Sequence, residues 1–291
     1  MLDEKNTRRL VEGHSLFVRN PSLASYSRVY DLALPFLWSM AVAVEEREGD
    51  TVVTFKSGAR VVLPQGDAVT YVGNVAHYLS LSPRKSVQTV PLAYREFIQK
   101  VCPKKLVSDL ELVDLVVPTE KLIEMPRKVR YYLRKTEAVA QIVHVRTPKQ
   151  VDDCMGVVAD WETHAKSTQD SSVRIGHVRQ FLTGLEALVA LPFYRFTVLG
   201  CYIGDRCVGF AVGTMLREGV WATIARMVLR DVDKNVRLDP FVWNALAQRF
   251  ADVPVCNDGA GGGTSDGCHA HKEQMGCVPD TVRVVNLKQK E

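Results

Sequence analysis

The sequence predicts an α+β (mixed α/β) fold built from two similar halves, each a mostly antiparallel central sheet flanked by helices. Three observations carry this. Residues 42–64, VAVEEREGDTVVTFKSGARVVLP, alternate apolar and polar positions across two turn signals, EGD and KSG, the mark of an antiparallel meander. The runs FYRFTVLGCYI, RCVGFAVGTML and VWATIARMVL repeat that pattern later in the chain, joined by Gly-Asp and Arg-Glu-Gly, short links that favour hairpins. Each meander is followed by a helical pattern and a further strand-like run.

In chain order, residues 15–44 read as helical segments broken near Pro21 and Pro35. The first meander follows, then the helical LAYREFIQKV and the strand-like DLELVDLVVP. A first domain over residues 1–120 and a second over 121–291 are expected. The second opens with MPRKVRYYLRKTEA, a helix carrying Arg127, Lys128, Arg130, Arg134 and Lys135 with Tyr131 and Tyr132 between them. Residues 151–190 suggest two helices, with WETHAKSTQDSSVR ending one of them in a polar loop. After the second meander, LDPFVWNALAQRFA has Pro240 at a first-turn position, where its missing N–H costs nothing. DVPVC is a short strand leading into the stretch from Cys256 to Gly276, CNDGAGGGTSDGCHAHKEQMG. Its end, HAHKEQMG, reads as a short helix capped by Gly276, and TVRVVNL as a last strand. The first half is a shorter version of the second, although no residue-level repeat survives.

The 46% hydrophobic content of 291 residues can fill sizeable cores, and a net charge of +4 with 24% charged residues is a mild basic lean that permits an anionic partner without demanding one. No run of about 18 apolar residues occurs, and the opening MLDEKNTRR lacks the apolar stretch of a signal peptide, so a cytoplasmic location without membrane insertion is expected. Seven cysteines without a regular framework fit a reducing compartment. Cys256, Cys268, His269, His271 and Cys277 crowd one stretch, but they form no CxxC or HxxxH pair, so no metal is expected.

The order of elements resembles the GNAT (N-acetyltransferase-type) fold, and two linked copies resemble the Fem-type aminoacyltransferases and the catalytic domain of bacterial phosphatidylglycerol lysyltransferases. The likeness rests on SYSRVYDLALPFLW, MPRKVRYYLRK, YIGDRCVGFAVG and VCNDGAGGGTSDGCHAHKEQMG. In those families a strand ending in a polar residue enters a Gly and Asp loop, then a helix close to GLxxxKxxxG, here GCHAHKEQMG. The resemblance implies a transferase that moves an aminoacyl or acyl group onto an amine or hydroxyl. One departure bears on the donor. GNAT enzymes that use acetyl-CoA carry a glycine-containing loop after the fourth strand, whose backbone N–H groups cradle pyrophosphate. Here that position reads RMVLRDVDKNVRLDPF, without glycine, and Asp231 and Asp233 offset Arg230, Lys234 and Arg237. Aminoacyl-tRNA therefore stands beside acyl-CoA as a donor.

Such a transfer needs a route for the acceptor's proton and donors for the developing oxyanion. The catalytic candidates are Asp258 first, with Asn257, Thr264 and Asp266. Substrate-binding candidates are Arg226, Arg230, Lys272, Ser265 and the loop glycines Gly261, Gly262 and Gly263, whose bare N–H groups can face a ligand. Capping and turn formation are the ordinary roles of Asp258 and Asp266, and an internal ion pair is that of Arg226. His269 and His271 are bases by chemistry, and an exposed helix explains them equally well. Arg127, Lys128, Arg130 and Arg134 are nucleic-acid candidates, for DNA or tRNA, or else one solvated face. Two other functions stand beside the leading one: a transferase acting on modified bases in bacteriophage DNA, and an inactive GNAT-like binding module.

Overall fold

The computed structural model describes residues 2–19, 34–81, 85–164, 195–229, 236–260 and 271–290, with residues 176, 178–179, 182–184 and 232 placed between them. Its helices are α1 (Glu4–Arg19), α2 (Leu34–Met40), α3 (Ala68–Ser80), α4 (Leu92–Val101), α5 (Thr119–Glu124), α6 (Arg127–Glu137), α7 (Pro148–His164) and α8 (Leu238–Arg249). The strands are β1 (Ala41–Arg47), β2 (Asp50–Phe55), β3 (Arg60–Leu63), β4 (Ser86–Pro91), β5 (Leu106–Val107), β6 (Leu110–Pro118), β7 (Gln141–His144), β8 (Phe196–Ile203), β9 (Arg206–Arg217), β10 (Val220–Val228), β11 (Val255–Ala260) and β12 (Val278–Gln289).

Both meanders form where the alternation predicts them: β1–β2–β3 and β8–β9–β10 are antiparallel, with β7 added at the second outer edge. The turns use glycine in the left-handed region, at Gly49 and Gly58 in the first meander and Gly204 and Gly219 in the second. The helical reading of residues 15–44 is corrected at its end, where Ala41–Val44 opens β1. Val44 pairs with Val53 and both are buried, so cross-strand packing overrides the local helical pattern. Helix α1 begins earlier than expected, at Glu4, and Pro35 lies in the first turn of α2, where it is tolerated. Pro21 and most of residues 165–190, including the loop ahead of the expected second helix, lie outside the described residues.

Each meander passes through a helix into a parallel strand. The first does so through α3, whose N-cap Asp67 accepts a hydrogen bond from the Thr70 amide at 2.8 Å, and the second through α8. Strands β3 and β4 pair in parallel, as do β10 and β11, and each parallel strand leads into another helical segment, α4 in one half and residues 271–274 in the other. The duplication read from the element order is thus visible in the topology.

The twelve strands among the described residues join one sheet of order β1-β2-β3-β4-β12-β6-β11-β10-β9-β8-β7, with β5 beside β12. Its centre is an exchange. The last strand, β12, pairs with β4 of the first half, while β6, from the first half, pairs with β11 of the second. Burial follows the same exchange: Val284 and Leu287 of β12 complete the core around Leu37, Val53 and Tyr71, and Leu115 and Val117 of β6 complete the core around Trp221, Trp243 and Phe250. Trp221 stacks on Phe250 at 4.8 Å between ring centroids, and its indole N–H donates to the Thr119 hydroxyl at 2.9 Å. The Thr119 amide also donates to the Pro254 carbonyl, so the end of β6 is locked to the start of β11.

Candidate active site

Strands β10 and β11 pair only from Val220 to Ala222 against Val255 to Asn257. Beyond those residues β10 continues to Val228 along β9, but β11 no longer follows it, and the sheet opens between them. Arg226 lies on the β10 side of this opening. Its Nε donates to Asp239 Oδ1 at 2.6 Å, its Nη1 to Asp258 Oδ1 at 3.2 Å, and its guanidinium carbon sits 3.9 Å from the centre of the Trp243 ring. A guanidinium is well suited to this place, because its planar fork reaches two carboxylates while its face stacks on indole. Burial disfavours the charge on Arg226, but Asp239 and Asp258 more than offset this and raise its pKa.

Asp258, at the end of β11, is a second node. Its carboxylate faces Arg226 through Oδ1 and Lys272 through Oδ2, the latter at 3.2 Å, and Lys272 Nζ also donates to the Asp258 carbonyl at 2.6 Å. Asp258 and Lys272 are each only 4% exposed. Since Asp258 precedes the glycine-rich loop and Lys272 follows it, their contact pins the two ends of the loop together. Gly259, with φ of 71°, provides the left-handed turn at the loop's entrance, and its amide donates to Asn257 Oδ1 at 2.7 Å. Asn257 Nδ2 reaches Asp114 of β6 at 3.4 Å, which ties the strand end to the exchanged strand. On the exit side, Gly276 has φ of 88°, its amide meets the Glu273 carbonyl and the Cys277 amide meets that of Lys272, which fits the expected glycine cap.

The network ends at the surface. Asp239, in the first turn of α8, places Oδ2 2.9 Å from His271 Nε2. Burial works to raise Asp239, but the Arg226 guanidinium and the His271 hydrogen bond prevail and hold its pKa at about 2. From the interior outward the order is Lys272, Asp258, Arg226, Asp239, His271, so cations and carboxylates alternate as far as the imidazole. The His271 side chain is 39% exposed, against 3% for Asp258.

The structure therefore brings together Arg226, Asp258 and Lys272, with Asn257 beside them but turned toward β6. Gly261, Gly262, Gly263, Thr264, Ser265, Asp266 and Arg230, as well as Cys268 and His269, lie outside the described residues. Asp239 was not singled out from the sequence. As an acid in the first turn of a helix it carries the signature of dipole complementation, and only the fold sets it beside an arginine 13 residues upstream. Burial pushes the Cys277 thiol up to about 12 and Cys256 well above the ordinary thiol range, which keeps both as unreactive packing groups. Among the described residues no three His, Cys, Asp or Glu side chains gather as a metal would need.

Helix α6 presents Arg127, Lys128, Arg130, Tyr131, Arg134 and Lys135 outward, across an arc of about 160° at 100° per residue, and packs Leu133 and Thr136 inward. Its last turn abuts the start of α8: the Arg237 amide donates to Thr136 Oγ1 at 3.0 Å, and the Arg237 guanidinium lies 5.3 Å from the Tyr132 ring centre. The inward side of the last turn of α6 thus packs two residues from Asp239.

No family model matches the chain, and no curated protein matches it. Solved structures do. A conserved protein of unknown function from Bacteroides thetaiotaomicron superposes with a TM-score of 0.72 at 13% identity, covering 97% of both chains. The C-terminal domain assigned to a lysylphosphatidylglycerol synthetase of Agrobacterium fabrum gives 0.62 at 11% identity, over 97% of this chain and 92% of that one. A tandem GNAT protein from the clavulanic acid biosynthesis pathway gives 0.53 at 11% identity, over 99% and 95%. The chain has the GNAT fold in a tandem arrangement, and in fold it is similar to the aminoacyltransferase-type members that the sequence resembles. The names of these three structures lend no support to a DNA acceptor or a bacteriophage origin. No described helix is long and apolar enough to cross a membrane.

Proposed function

We propose that the chain is a GNAT-fold transferase that moves an aminoacyl or acyl group onto an amine or hydroxyl, with residues 121–291 as the catalytic half and residues 1–120 as a degenerate copy. The observation that carries this reading is the opening between β10 and β11 beyond Ala222 and Asn257, bounded by the Arg226 network and by the pinned ends of the glycine-rich loop. An opening of this kind offers unpaired strand edge to an extended ligand, and a loop with Gly261, Gly262 and Gly263 offers backbone N–H groups to an oxyanion. The fold likeness to a lysylphosphatidylglycerol synthetase domain supports the transferase class.

Asp258 has a different role in this reading from the proton acceptor expected of it. With both carboxylate oxygens turned to cations and almost no exposed surface, it positions the loop and Arg226, and it does not touch the acceptor. Lys272 likewise anchors the loop's exit rather than meeting a phosphate. Arg127, Lys128, Arg130 and Arg134 serve as the track for a phosphate-bearing donor, because they share one exposed face of a helix whose last turn packs on the start of α8. An aminoacyl-tRNA uses all of such a face and an acyl-CoA only its end. The test is a donor panel of mixed radiolabelled aminoacyl-tRNAs and acetyl-CoA, with hydroxylamine as the acceptor probe. Labelled hydroxamate above the protein-free rate supports the reading, and its absence with every donor removes it.

A further inference from the structure

With Asp258 enclosed, the network needs another group for the acceptor's proton. We propose that His271, held by Asp239, is the proton acceptor of this site, forming with it a carboxylate–imidazole dyad at the mouth of the β10–β11 opening. This deepens the transferase reading and rests on it for the identity of the acceptor. The dyad's own reactivity is measurable without that identity.

The geometry fixes the tautomer. Asp239 Oδ2 lies 2.9 Å from His271 Nε2, and the Asp239 carboxylate is kept ionised by Arg226, so it can only accept. Nε2 therefore carries the hydrogen, and in the neutral ring Nδ1 carries the lone pair. Nδ1 has no partner among the described residues, on a side chain 39% exposed. A buried-side carboxylate that orients an imidazole and stabilises the imidazolium formed after proton uptake is a recurring catalytic device, independent of fold.

The surrounding charges suit that cycle. Asp239 of α8 faces the ring, Arg226 of β10 stands behind Asp239, and Asp258 of β11 and Lys272 face each other and Arg226 in the interior. Uptake of a proton by His271 thus places a positive charge against Asp239, whose second oxygen is already bound to Arg226 and so cannot turn away. The competing bases among the described residues here are ruled out by place: Asp258 is enclosed by two cations, and Cys256 and Cys277 are buried with raised thiol pKa values. In the transfer, the acceptor's N–H or O–H proton passes to Nδ1 as its heteroatom bonds the acyl carbon. The bond from that carbon to the donor's oxygen or sulfur then breaks, and the leaving atom takes the proton from the imidazolium.

p-Nitrophenyl acetate with water as acceptor is the probe that needs no natural donor. Water gives its proton to Nδ1 while its oxygen bonds the acetyl carbon, and p-nitrophenolate leaves with the electron pair. The wild-type protein is expected to release p-nitrophenolate faster than buffer. His271→Gln, which keeps a donor toward Asp239 but has no base, should lower this rate by about tenfold or more at an unchanged melting temperature. Adding imidazole to His271→Gly should restore a part of it, which no purely structural role would do. A wild-type rate equal to buffer, a wild-type rate in His271→Gln, or a His271→Gly loss that imidazole leaves untouched each overturns the dyad. The two readings separate cleanly. Ester cleavage that depends on His271 without hydroxamate from any donor keeps the dyad and removes the transferase, and hydroxamate formation that is indifferent to His271→Gln does the reverse.

Discussion

Replacing Asp258 with asparagine distinguishes an anchoring carboxylate from a working one. The side chain is 3% exposed and faces Arg226 Nη1 and Lys272 Nζ at 3.2 Å each. Neutralising it leaves Arg226 with Asp239, but takes from the Lys272 ammonium, itself 5% exposed, the carboxylate it faces, while the Asp258 carbonyl still accepts from Nζ at 2.6 Å. An amide also turns a donor toward one of the two cations. Removing one partner of a buried ion pair in this way costs about 3–5 kcal/mol, against about 1 kcal/mol for loss of a cap. Since a domain has only about 5–15 kcal/mol in hand, the variant should unfold at a clearly lower urea concentration. Asp258→Asn combined with Lys272→Met should lose much less than the sum of the two single variants, because both partners of one buried pair are then removed together. Urea unfolding followed by circular dichroism gives all four corners of this cycle. A single-variant loss below about 1 kcal/mol, or strict additivity, would refute the argument that the pair holds the ends of the loop together.

Three further outcomes follow from the same geometry. Changing Arg127, Arg130 and Arg134 together to glutamate should weaken retention on a tRNA or heparin column and flatten the dependence of log K on log salt by about two to three, whereas an unchanged slope would leave α6 as a solvated face. Asp239 has a folded pKa near 2, below its ordinary 3.8, so its contribution is complete above about pH 4 and is lost as pH falls toward 2. That contribution is on the order of 2 kcal/mol, and an acid-unfolding curve that Asp239→Asn does not shift would contradict it. Cys256 and Cys277 should resist iodoacetamide in the native protein at neutral pH and react after denaturation, as peptide mapping can establish, and rapid native labelling of either would place them outside the core.

Much of the fold was legible because its signals are local. The alternation in residues 42–64 and 193–229, with glycines at the turns, specifies two meanders, and the amphipathic MPRKVRYYLRK specifies α6. The central exchange was not legible. DLELVDLVVP and TVRVVNL both read as strands, but nothing within either run tells it to cross to the other half, since apolar positions satisfy either core equally. The site was legible in part. Asp258 and Lys272 stood out at the two ends of an unusual glycine run, and Arg226 stood out as a charge within a strand, yet their mutual pairing is a long-range fact. The reading of Asp258 as a base weighed its position at a strand end and could not weigh its enclosure. Asp239 was hidden by its ordinary place in a first helical turn, whereas His271 was named from the sequence as a base beside the exposed-helix role that explains it equally well.

Transfer itself is the most direct test of the account. The wild-type protein and His271→Gln are each mixed with the labelled aminoacyl-tRNAs and with acetyl-CoA in the presence of hydroxylamine, and hydroxamate is quantified by mass spectrometry. The account predicts hydroxamate from at least one donor with the wild-type protein and about a hundredfold less with His271→Gln, the size expected for lost general-base work. No hydroxamate above the protein-free control from any donor would contradict the transferase reading at its root.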